Sequence, residues 1–324
     1  MSGTTTPNPA PRGTGTAPRR AKPVQRRGDR VFAGLSFGAG LMILLTLAGV
    51  GIFLTLEGLP GVMAAPEEVK SGTTFLSFVG PLVYGTLLAA LLALIVAVPV
   101  SIGVALFISH YSPRRLGAIC GYIIDLLAAV PSVVYGAWGI AVLAGHIVPF
   151  YGFLETYLGF LPFFAGPASA TGRTILTAGI VLAIMILPIM TAICREIFLQ
   201  TPRLHQEAAL ALGATRWEMA RMAIFPYARS GIISAAMLGL GRALGETMAV
   251  AMVLSATGVV TLNLISSTNP STIAANIALS FGEASGLTVN ALIASGLVLF
   301  VITFLVNFAA RAIVDRRKEF SGAN

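Results

Sequence analysis

Arg242 and Glu246 are charged residues in a long apolar stretch that also contains glycines at 239, 241 and 245. A guanidinium presents a planar set of donors that matches the oxygens of phosphate and similar anions. Glu246 follows one helical turn later, and arginine before glutamate is the less favourable order for an ion pair within one helix. The stretch therefore predicts a pathway in which an oxyanion passes Arg242, Glu246 and the adjacent Thr247. The alternative is a structural ion pair that holds helices together.

A second polar position follows Pro131, in the apolar run AAVPSVVYG. Proline inside a membrane-spanning helix frees a backbone carbonyl and marks a kink. Ser132 and Tyr135 bring hydroxyl groups next to this kink. We predict that Ser132 lines the same pathway, and a plain packing kink is the alternative.

The composition excludes an ordinary soluble domain. Of the 324 residues, 56% are hydrophobic and 10% are charged, whereas soluble domains contain about 25% charged residues. A helix needs about 20 apolar residues to cross roughly 30 Å of hydrocarbon. We predict an all-α polytopic membrane protein with six transmembrane helices, over residues 31–56, 81–109, 116–143, 173–199, 230–256 and 287–313.

The basic residues fall almost entirely on one side of these six spans. With the N-terminus inside, 18 of the 21 lysines and arginines are cytoplasmic, two are outside and Arg242 lies within a span. This is the positive-inside pattern, so the net charge of +8 indicates membrane topology rather than a nucleic-acid partner. We predict that both termini are cytoplasmic, with a disordered basic tail over residues 1–30, a transmembrane domain over 31–313 and a second tail over 314–324.

The longest charged segment between the predicted spans covers residues 200–226. Thr201 as the N-cap and Pro202 as the first helical residue predict the start of a helix. Gly213 ends this helix, and residues 215–218 form a capping box that starts a second one. We therefore predict two short cytoplasmic helices joined by a glycine hinge. The first helix carries Glu207, Ala208 and Ala209.

This segment resembles the EAA loop of ABC importer permeases. The run of glutamate and two alanines, the glycine four residues after it and the later Pro226 all have the spacing of that loop. Ala223 and Phe225 depart from it, because aliphatic residues are usual there. Three other stretches, over residues 128–136, 178–188 and 241–250, resemble the PstC family of permeases from phosphate-specific ABC importers. This narrower resemblance extends over about residues 80–313.

The resemblance implies a type I-like permease subunit that carries inorganic phosphate through the bacterial plasma (inner) membrane by alternating access. The partners it implies are the sister permease PstA, a dimer of the ATPase PstB, the phosphate-binding protein PstS and the lipid bilayer. It also implies that the charged pair lies in the translocation path and that one short segment couples to the ATPase. The coupling residues would be Glu207, Ala208, Ala209 and Gly213.

The sequence contains no GxxxxGK[ST] loop, so we expect no ATPase site, cofactor or metal in this chain, with ATP and Mg²⁺ on the partner ATPase. Several alternatives remain open. A permease for sulfate or molybdate, or the sister phosphate permease, would show similar features. A proton-coupled secondary transporter would use Glu246, and a membrane enzyme would need a cluster of acids and histidines, whereas His110, His146 and His205 are far apart in the sequence.

Overall fold

The computed structural model describes residues 27–68 and 74–318. Residues 1–26 of the predicted N-terminal tail lie outside the described residues, and residues 27–30 belong to a helix. Residues 319–324 of the predicted C-terminal tail also lie outside the described residues. The chain divides into two compact units, 1–50 and 51–324. The helices of the described residues are α1 Arg27–Met63, α2 Phe75–Leu106, α3 Arg114–Ala128, α4 Ser132–Trp138, α5 Ala144–Leu158, α6 Ile175–Leu199, α7 Arg203–Ala211, α8 Arg216–Met219, α9 Phe225–Leu244, α10 Met248–Val253, α11 Ile273–Ser280 and α12 Leu287–Lys318.

The all-α class and the number of six spans are confirmed, whereas the predicted bounds of the third and fifth spans are wrong. Six helical stretches of the described residues are long and apolar enough to cross a membrane. π-helical turns join α4 to α5 and α8 to α9, so each of these pairs forms one continuous helical stretch. The six stretches are Gly28–Met63, Phe75–Tyr111, Ser132–Leu158, Ile175–Leu199, Arg216–Leu244 and Leu287–Ala312.

The third span begins at Ser132 and not at residue 116. The helix α3 ends at Ala128, and Pro131 adopts φ −58° and ψ 140°, which is outside the helical region. Proline disfavours a helical conformation in the residue before it, which explains why the chain breaks here. The membrane-spanning helix therefore consists of α4 and α5, and residues 144–158 belong to it rather than to an external loop. The helix α3 packs beside α6, where Gly121 lies against the Arg195 side chain, and beside the end of the second span, where Gly117 lies against the Ile108 carbonyl.

The core of the second unit forms where α2 and α9 pack on α6. Alanines of α2 at 89, 90, 93 and 97 are at most 1% exposed, and they face Leu182, Met185 and Ile186 of α6. Small residues allow the helix backbones to approach closely, which is how helices associate within a membrane. The central helix α6 is thereby surrounded by protein and provides a fixed support for its neighbours.

The loop between α10 and α11 folds onto the start of α6. The side chain of Asn269 is fully buried there, and its Oδ1 accepts a hydrogen bond from the Ile175 N–H at 3.0 Å. Further along, the hydroxyl of Thr86 on α2 accepts a hydrogen bond from the Ile273 N–H at 2.9 Å. These bonds attach the loop to two spanning helices.

Candidate functional site

The fifth span is interrupted close to the charged pair. The helix α9 ends at Leu244 and α10 begins at Met248, so Gly245, Glu246 and Thr247 form a break between them. Arg242 consequently lies in the last turn of α9 instead of inside a helix that continues to residue 256. Backbone groups at such a break are tolerated at membrane depth only where protein or a water-filled cavity surrounds them. The break is therefore a place where polar groups can be presented to a ligand.

The carboxylate of Glu246 binds to the start of α10. Its Oε1 accepts a hydrogen bond from the Ala249 N–H at 3.1 Å, and the residue is 8% exposed. A carboxylate at a helix N-terminus satisfies a free N–H and interacts favourably with the helix dipole. Within the described part of the chain, no ion pair joins Glu246 to Arg242. Thr247 precedes the first residue of α10 and donates a hydrogen bond to the Gly245 carbonyl at 3.2 Å.

The helix α10 packs directly against α4. A Cβ atom added at Gly136 would lie 2.8 Å from the Cα of Ala249, so only glycine permits this approach. Ser132, the first residue of α4, is half-buried one turn before Gly136. The third span thus positions Tyr135 beside Ala249 and Val253 of α10, and Ser132 lies at the start of the same helix as Tyr135.

An arginine binds the C-terminal end of α10. The sequence predicted only that this arginine, Arg173, lies in an external segment. Arg173, two residues before α6, donates a hydrogen bond from Nη2 to the Met252 carbonyl at 3.3 Å. Its own carbonyl accepts hydrogen bonds from the Ser255 N–H at 3.4 Å and from Asn269 Nδ2 at 3.3 Å. A cation at a helix C-terminus is the favourable arrangement. The short helix is therefore bound at one end by Glu246 and at the other by Arg173.

Arg242 lines an open cleft of about 860 Å³. The cleft runs between α6, α9 and α12, and Gly241 leaves it open because a Cβ there would meet nothing within 4 Å. The Arg242 side chain is exposed. Of the four predicted pathway residues, the cleft lining includes Arg242 but not Glu246, Thr247 or Ser132. It also includes residues that the sequence reasoning missed, namely Ser234, Asn307 and Arg311.

The predicted helix–hinge–helix segment has the expected form. Gly213 has φ +85°, and the N–H groups of Gly213 and Ala214 bond back to Leu210 and Ala209, which is the Schellman arrangement of a helix end. The capping box of α8 is present, with the Thr215 N–H donating to the Glu218 carboxylate at 2.7 Å.

The start of that segment differs from the prediction. The helix α7 begins at Arg203, with Pro202 in the N-cap position and no side-chain cap bond. The hydroxyl oxygen of Thr201 is buried without a hydrogen-bond partner in the described structure, and its carbonyl accepts from Gln206 Nε2 at 3.0 Å. Proline places the turn one residue later because it has no N–H and fixes its own φ.

The short helix α7 divides its residues between two sides. Ala209 is 6% exposed and packs in a cluster with Phe198 and Met219. Glu207, Ala208 and Gly213 are exposed, as are the large side chains Leu204 at 76% and Leu212 at 84%. One side of α7 is thus attached to the spanning helices, and the other side presents an apolar and acidic surface.

Comparison with known proteins places the chain in the class of ABC importer permeases. The profile of the family described as binding-protein-dependent transport system inner membrane component matches residues 97–319, and the chain belongs to this family. The fold is shared with the inward-facing methionine ABC transporter MetNI, at a TM-score of 0.50 and 16% identity over 74% of this chain and 94% of that one. It is shared also with a bacterial ABC transporter involved in the import of the acidic polysaccharide alginate, at a TM-score of 0.50 and 17% identity over 89% and 99%.

Curated relatives narrow the class to one kind of permease. Phosphate transport system permease protein PstC 2 of Mycobacterium tuberculosis is 47% identical over 89% of this chain and 92% of its own length. PstC of Mycobacterium leprae is 42% identical over 91% and 95%, and PstC of Xylella fastidiosa (strain Temecula1 / ATCC 700964) is 42% identical over 89% and 86%. The chain belongs to the PstC family, so the resemblance seen in the sequence is confirmed. It is a multi-pass protein of the inner membrane and a transport subunit of an ABC transporter, with a partner permease and an ATPase.

Proposed function

We propose that this chain is the permease subunit of an ATP-driven importer of inorganic phosphate and that the anion passes Arg242. The observation that carries the proposal is the position of this guanidinium, in the last turn of a spanning helix and facing a cleft, with Glu246 bonded elsewhere. An arginine within a membrane is expensive unless it has a partner or a water-filled surrounding. A transported oxyanion supplies such a partner during each cycle. The PstC relatives, whose names state phosphate transport, support the choice of anion.

The other predicted pathway residues take distinct roles in this proposal. Glu246 positions α10 through its bond to Ala249 and sets the distance between that helix and Arg242. The hydroxyls of Thr247 and Ser132 lie on the two elements that meet at the break, α10 and α4. The Ser132 hydroxyl can donate to a phosphate oxygen, and the Thr247 hydroxyl can do so once it leaves the Gly245 carbonyl. The anion would leave Arg242 when α10 and α4 move relative to α9.

Energy for this movement would come from the partner ATPase through α7. We propose that Glu207, Ala208, Ala209 and Gly213 form the coupling element and that the ATPase, PstB as a dimer, binds ATP and Mg²⁺. The division of α7 supports this role, because Ala209 is tied to the spans while Glu207 and Ala208 are exposed. Burial of exposed apolar side chains such as Leu204 and Leu212 would drive the docking. The remaining partners in the proposal are the sister permease PstA and the phosphate-binding protein PstS.

The distribution of basic residues supports an orientation with both termini in the cytoplasm. In that orientation α7 and α8 lie inside the cell, where a nucleotide-driven ATPase works. The loop between α10 and α11 then lies outside, where the binding protein delivers phosphate. The tails predicted over 1–30 and 314–324 would both be cytoplasmic.

The test is uptake of labelled phosphate by cells in which this importer is the only phosphate transporter. We expect Arg242→Gln to lower uptake by roughly 10-fold to 100-fold, because a charge-assisted hydrogen bond contributes about 1.5–3 kcal/mol. Arg242→Lys, which keeps the charge but loses the planar fork, is expected to retain part of the activity. Copurification of the ATPase with each variant controls for assembly. Normal uptake by Arg242→Gln would refute the role of this residue.

Two further measurements separate the alternatives. Excess sulfate or molybdate should leave phosphate uptake unchanged, and strong competition by either would identify a different anion as the substrate. Uptake should stop when the catalytic glutamate or lysine of the partner ATPase is replaced. Uptake that continues and follows the proton gradient would instead indicate a secondary transporter that uses Glu246.

A further inference from the structure

The cleft that Arg242 enters contains a second arginine from another helix. Arg311 of α12 lines it together with Asn307, which precedes it by one helical turn and therefore shares its face. Ser234 of α9 also lines the cleft. Its hydroxyl donates a hydrogen bond to the Ser230 carbonyl at 2.9 Å, so the lone pairs of its oxygen remain available to accept a hydrogen bond. A guanidinium, an amide and a hydroxyl from two helices thus face one space.

The charged side chains that line this cleft are both positive. The ten residues that line the cleft include Arg242 and Arg311 but no aspartate or glutamate. Neither arginine has an ion pair with any side chain in the part of the chain that the structure describes. A concave surface with one sign of charge and apolar walls raises the local concentration of oppositely charged ions. Here the walls are Ile189, Ile233, Met237 and Leu238.

We propose that Arg311, with Asn307 and Ser234, forms a second site for a phosphate oxyanion in the cleft that Arg242 enters. This inference rests on the proposed function, since it adds a site to the same path. Guanidinium binds phosphate oxygens through two parallel N–H groups, and the Asn307 amide supplies a further neutral donor. The Ser234 oxygen, whose proton is bonded to the Ser230 carbonyl, accepts the O–H of a protonated phosphate. No metal or cofactor is required.

The two arginines lie at different levels of the membrane. Consecutive spans cross in opposite directions, so the late residues of α12 come level with the early residues of α9. Arg311 is therefore on the side of Ser234, and Ser234 precedes Arg242 by eight residues, or about 12 Å along α9. In the proposed orientation Arg311 is nearer to the cytoplasm. An anion released by Arg242 would meet Arg311 before it leaves the protein.

A phosphate group can reach this site from two sources. One is the transported ion, and the other is the headgroup of an anionic lipid, because Phe304 and Phe308 of α12 are 59% and 65% exposed next to Asn307. Both sources present the same oxyanion to the same donors. The experiment below distinguishes them through the lipid composition.

The whole importer, with its permease partner, ATPase and binding protein, is reconstituted into vesicles of phosphatidylcholine alone or with phosphatidylglycerol added. Phosphate uptake is measured for Arg311→Gln and Arg311→Lys. Arg229→Gln is the matched control, since it removes an exposed arginine that lies near the start of α9, on the same cytoplasmic side in the proposed orientation, and that does not line the cleft. Asp315→Asn is the second control, because it removes another charge from the sequence four residues after Arg311.

For free phosphate, Arg311→Gln should lower uptake about tenfold in both kinds of vesicle, Arg311→Lys should restore part of it, and both controls should transport normally. For a lipid headgroup, wild-type uptake should rise with phosphatidylglycerol and the Arg311→Gln protein should not respond. Uptake by Arg311→Gln equal to that of Arg229→Gln in both vesicles, or an equal loss in Asp315→Asn, would overturn the second site. A wild-type importer without phosphate uptake would instead overturn the proposed function.

Discussion

Replacement of Asn269 by alanine should destabilise the protein more than any other single amide truncation among the contacts described above. The side chain is fully buried and joins segments that are distant in sequence. Its Oδ1 accepts from the Ile175 N–H, and its Nδ2 lies within hydrogen-bond distance of the carbonyls of Arg173, Ser255 and Ser266, at 3.3, 3.1 and 3.2 Å. An amide has two N–H groups, so three carbonyls share two protons.

The size of the effect follows from the groups left without partners. The Ile175 N–H belongs to the first turn of α6, where no intrahelical acceptor exists, and alanine at 269 leaves it buried and unpaired. An unsatisfied buried group costs about 1–3 kcal/mol, and the carbonyls that lose a donor add a smaller cost each. The sum is about 3–5 kcal/mol, which corresponds to a fall in Tm of roughly 4–7 °C for a chain of this length.

The assay is thermal unfolding of the purified protein, followed with a thiol-reactive dye. Cys194 is fully buried in α6, so it reacts only on unfolding, and Cys120→Ser removes the other thiol. Asn290→Ala is the matched control, because Asn290 Nδ2 donates to the Glu57 carbonyl at an exposed position. If the two alanine variants unfold within about 2 °C of each other, the account of Asn269 is wrong.

Three other substitutions test the remaining contacts. Gly136→Val should push α10 away from α4, because its Cβ alone would lie 2.8 Å from the Ala249 Cα. We expect it to lower phosphate uptake at least about tenfold. Gly145→Val, where a Cβ would meet nothing within 4 Å, should leave uptake unchanged. Gly213→Ala, at φ +85°, should strain the end of α7 by about 1 kcal/mol and reduce copurification of the ATPase roughly fivefold; an unchanged yield would refute this. Tyr151→Phe removes a buried hydroxyl bonded to two threonines and should lower Tm by about 2–4 °C in the same dye assay.

Local sequence signals predicted the parts of the fold that depend on neighbouring residues. The capping box at Thr215 and the glycine hinge at Gly213 both formed as expected, since their hydrogen bonds join residues within one turn. The number of spans followed from apolar length alone. The family resemblance followed from spacings that the fold preserves. These features need no knowledge of the packing.

The third span shows the limit of that reasoning. Residues 116–143 form an apolar run of sufficient length, and nothing in its periodicity separates one kinked helix from two helices. Pro131 permits either a kink or a break, and packing stabilises the break, because α3 places Gly117 and Gly121 against its neighbours while α4 meets α10. The hydroxyl of Tyr135 also donates to the Leu127 carbonyl at 2.9 Å, near the end of α3 that the proline frees. The contacts of Gly121 with Arg195 and of Gly136 with Ala249 involve residues far apart in the sequence.

The charged pair shows the same limit at the candidate site. One turn of spacing suggests that Arg242 and Glu246 interact, but the helix ends between them and the carboxylate bonds to the Ala249 N–H instead. Breaking the helix creates free N–H groups, and the nearest acceptor satisfies one of them. Arg242 is left to the cleft as a consequence. Glu246 therefore caps the start of α10, and the guanidinium of Arg242 faces the cleft without an ion pair to Glu246.

The short helix α10 is bound at both of its ends to other parts of the chain. Glu246 binds its first turn, and Arg173 binds its last turn although 79 positions separate that arginine from Met252. Arg173 is also tied to Asn269 and hence to the loop between α10 and α11. A displacement of that loop acts on Arg173 and then on a rigid helix of six residues whose other end is Glu246. We therefore predict that Arg173→Gln alters phosphate uptake although Arg173 does not line the cleft, and uptake equal to that of the wild type would refute a link between the loop and Arg242 through α10.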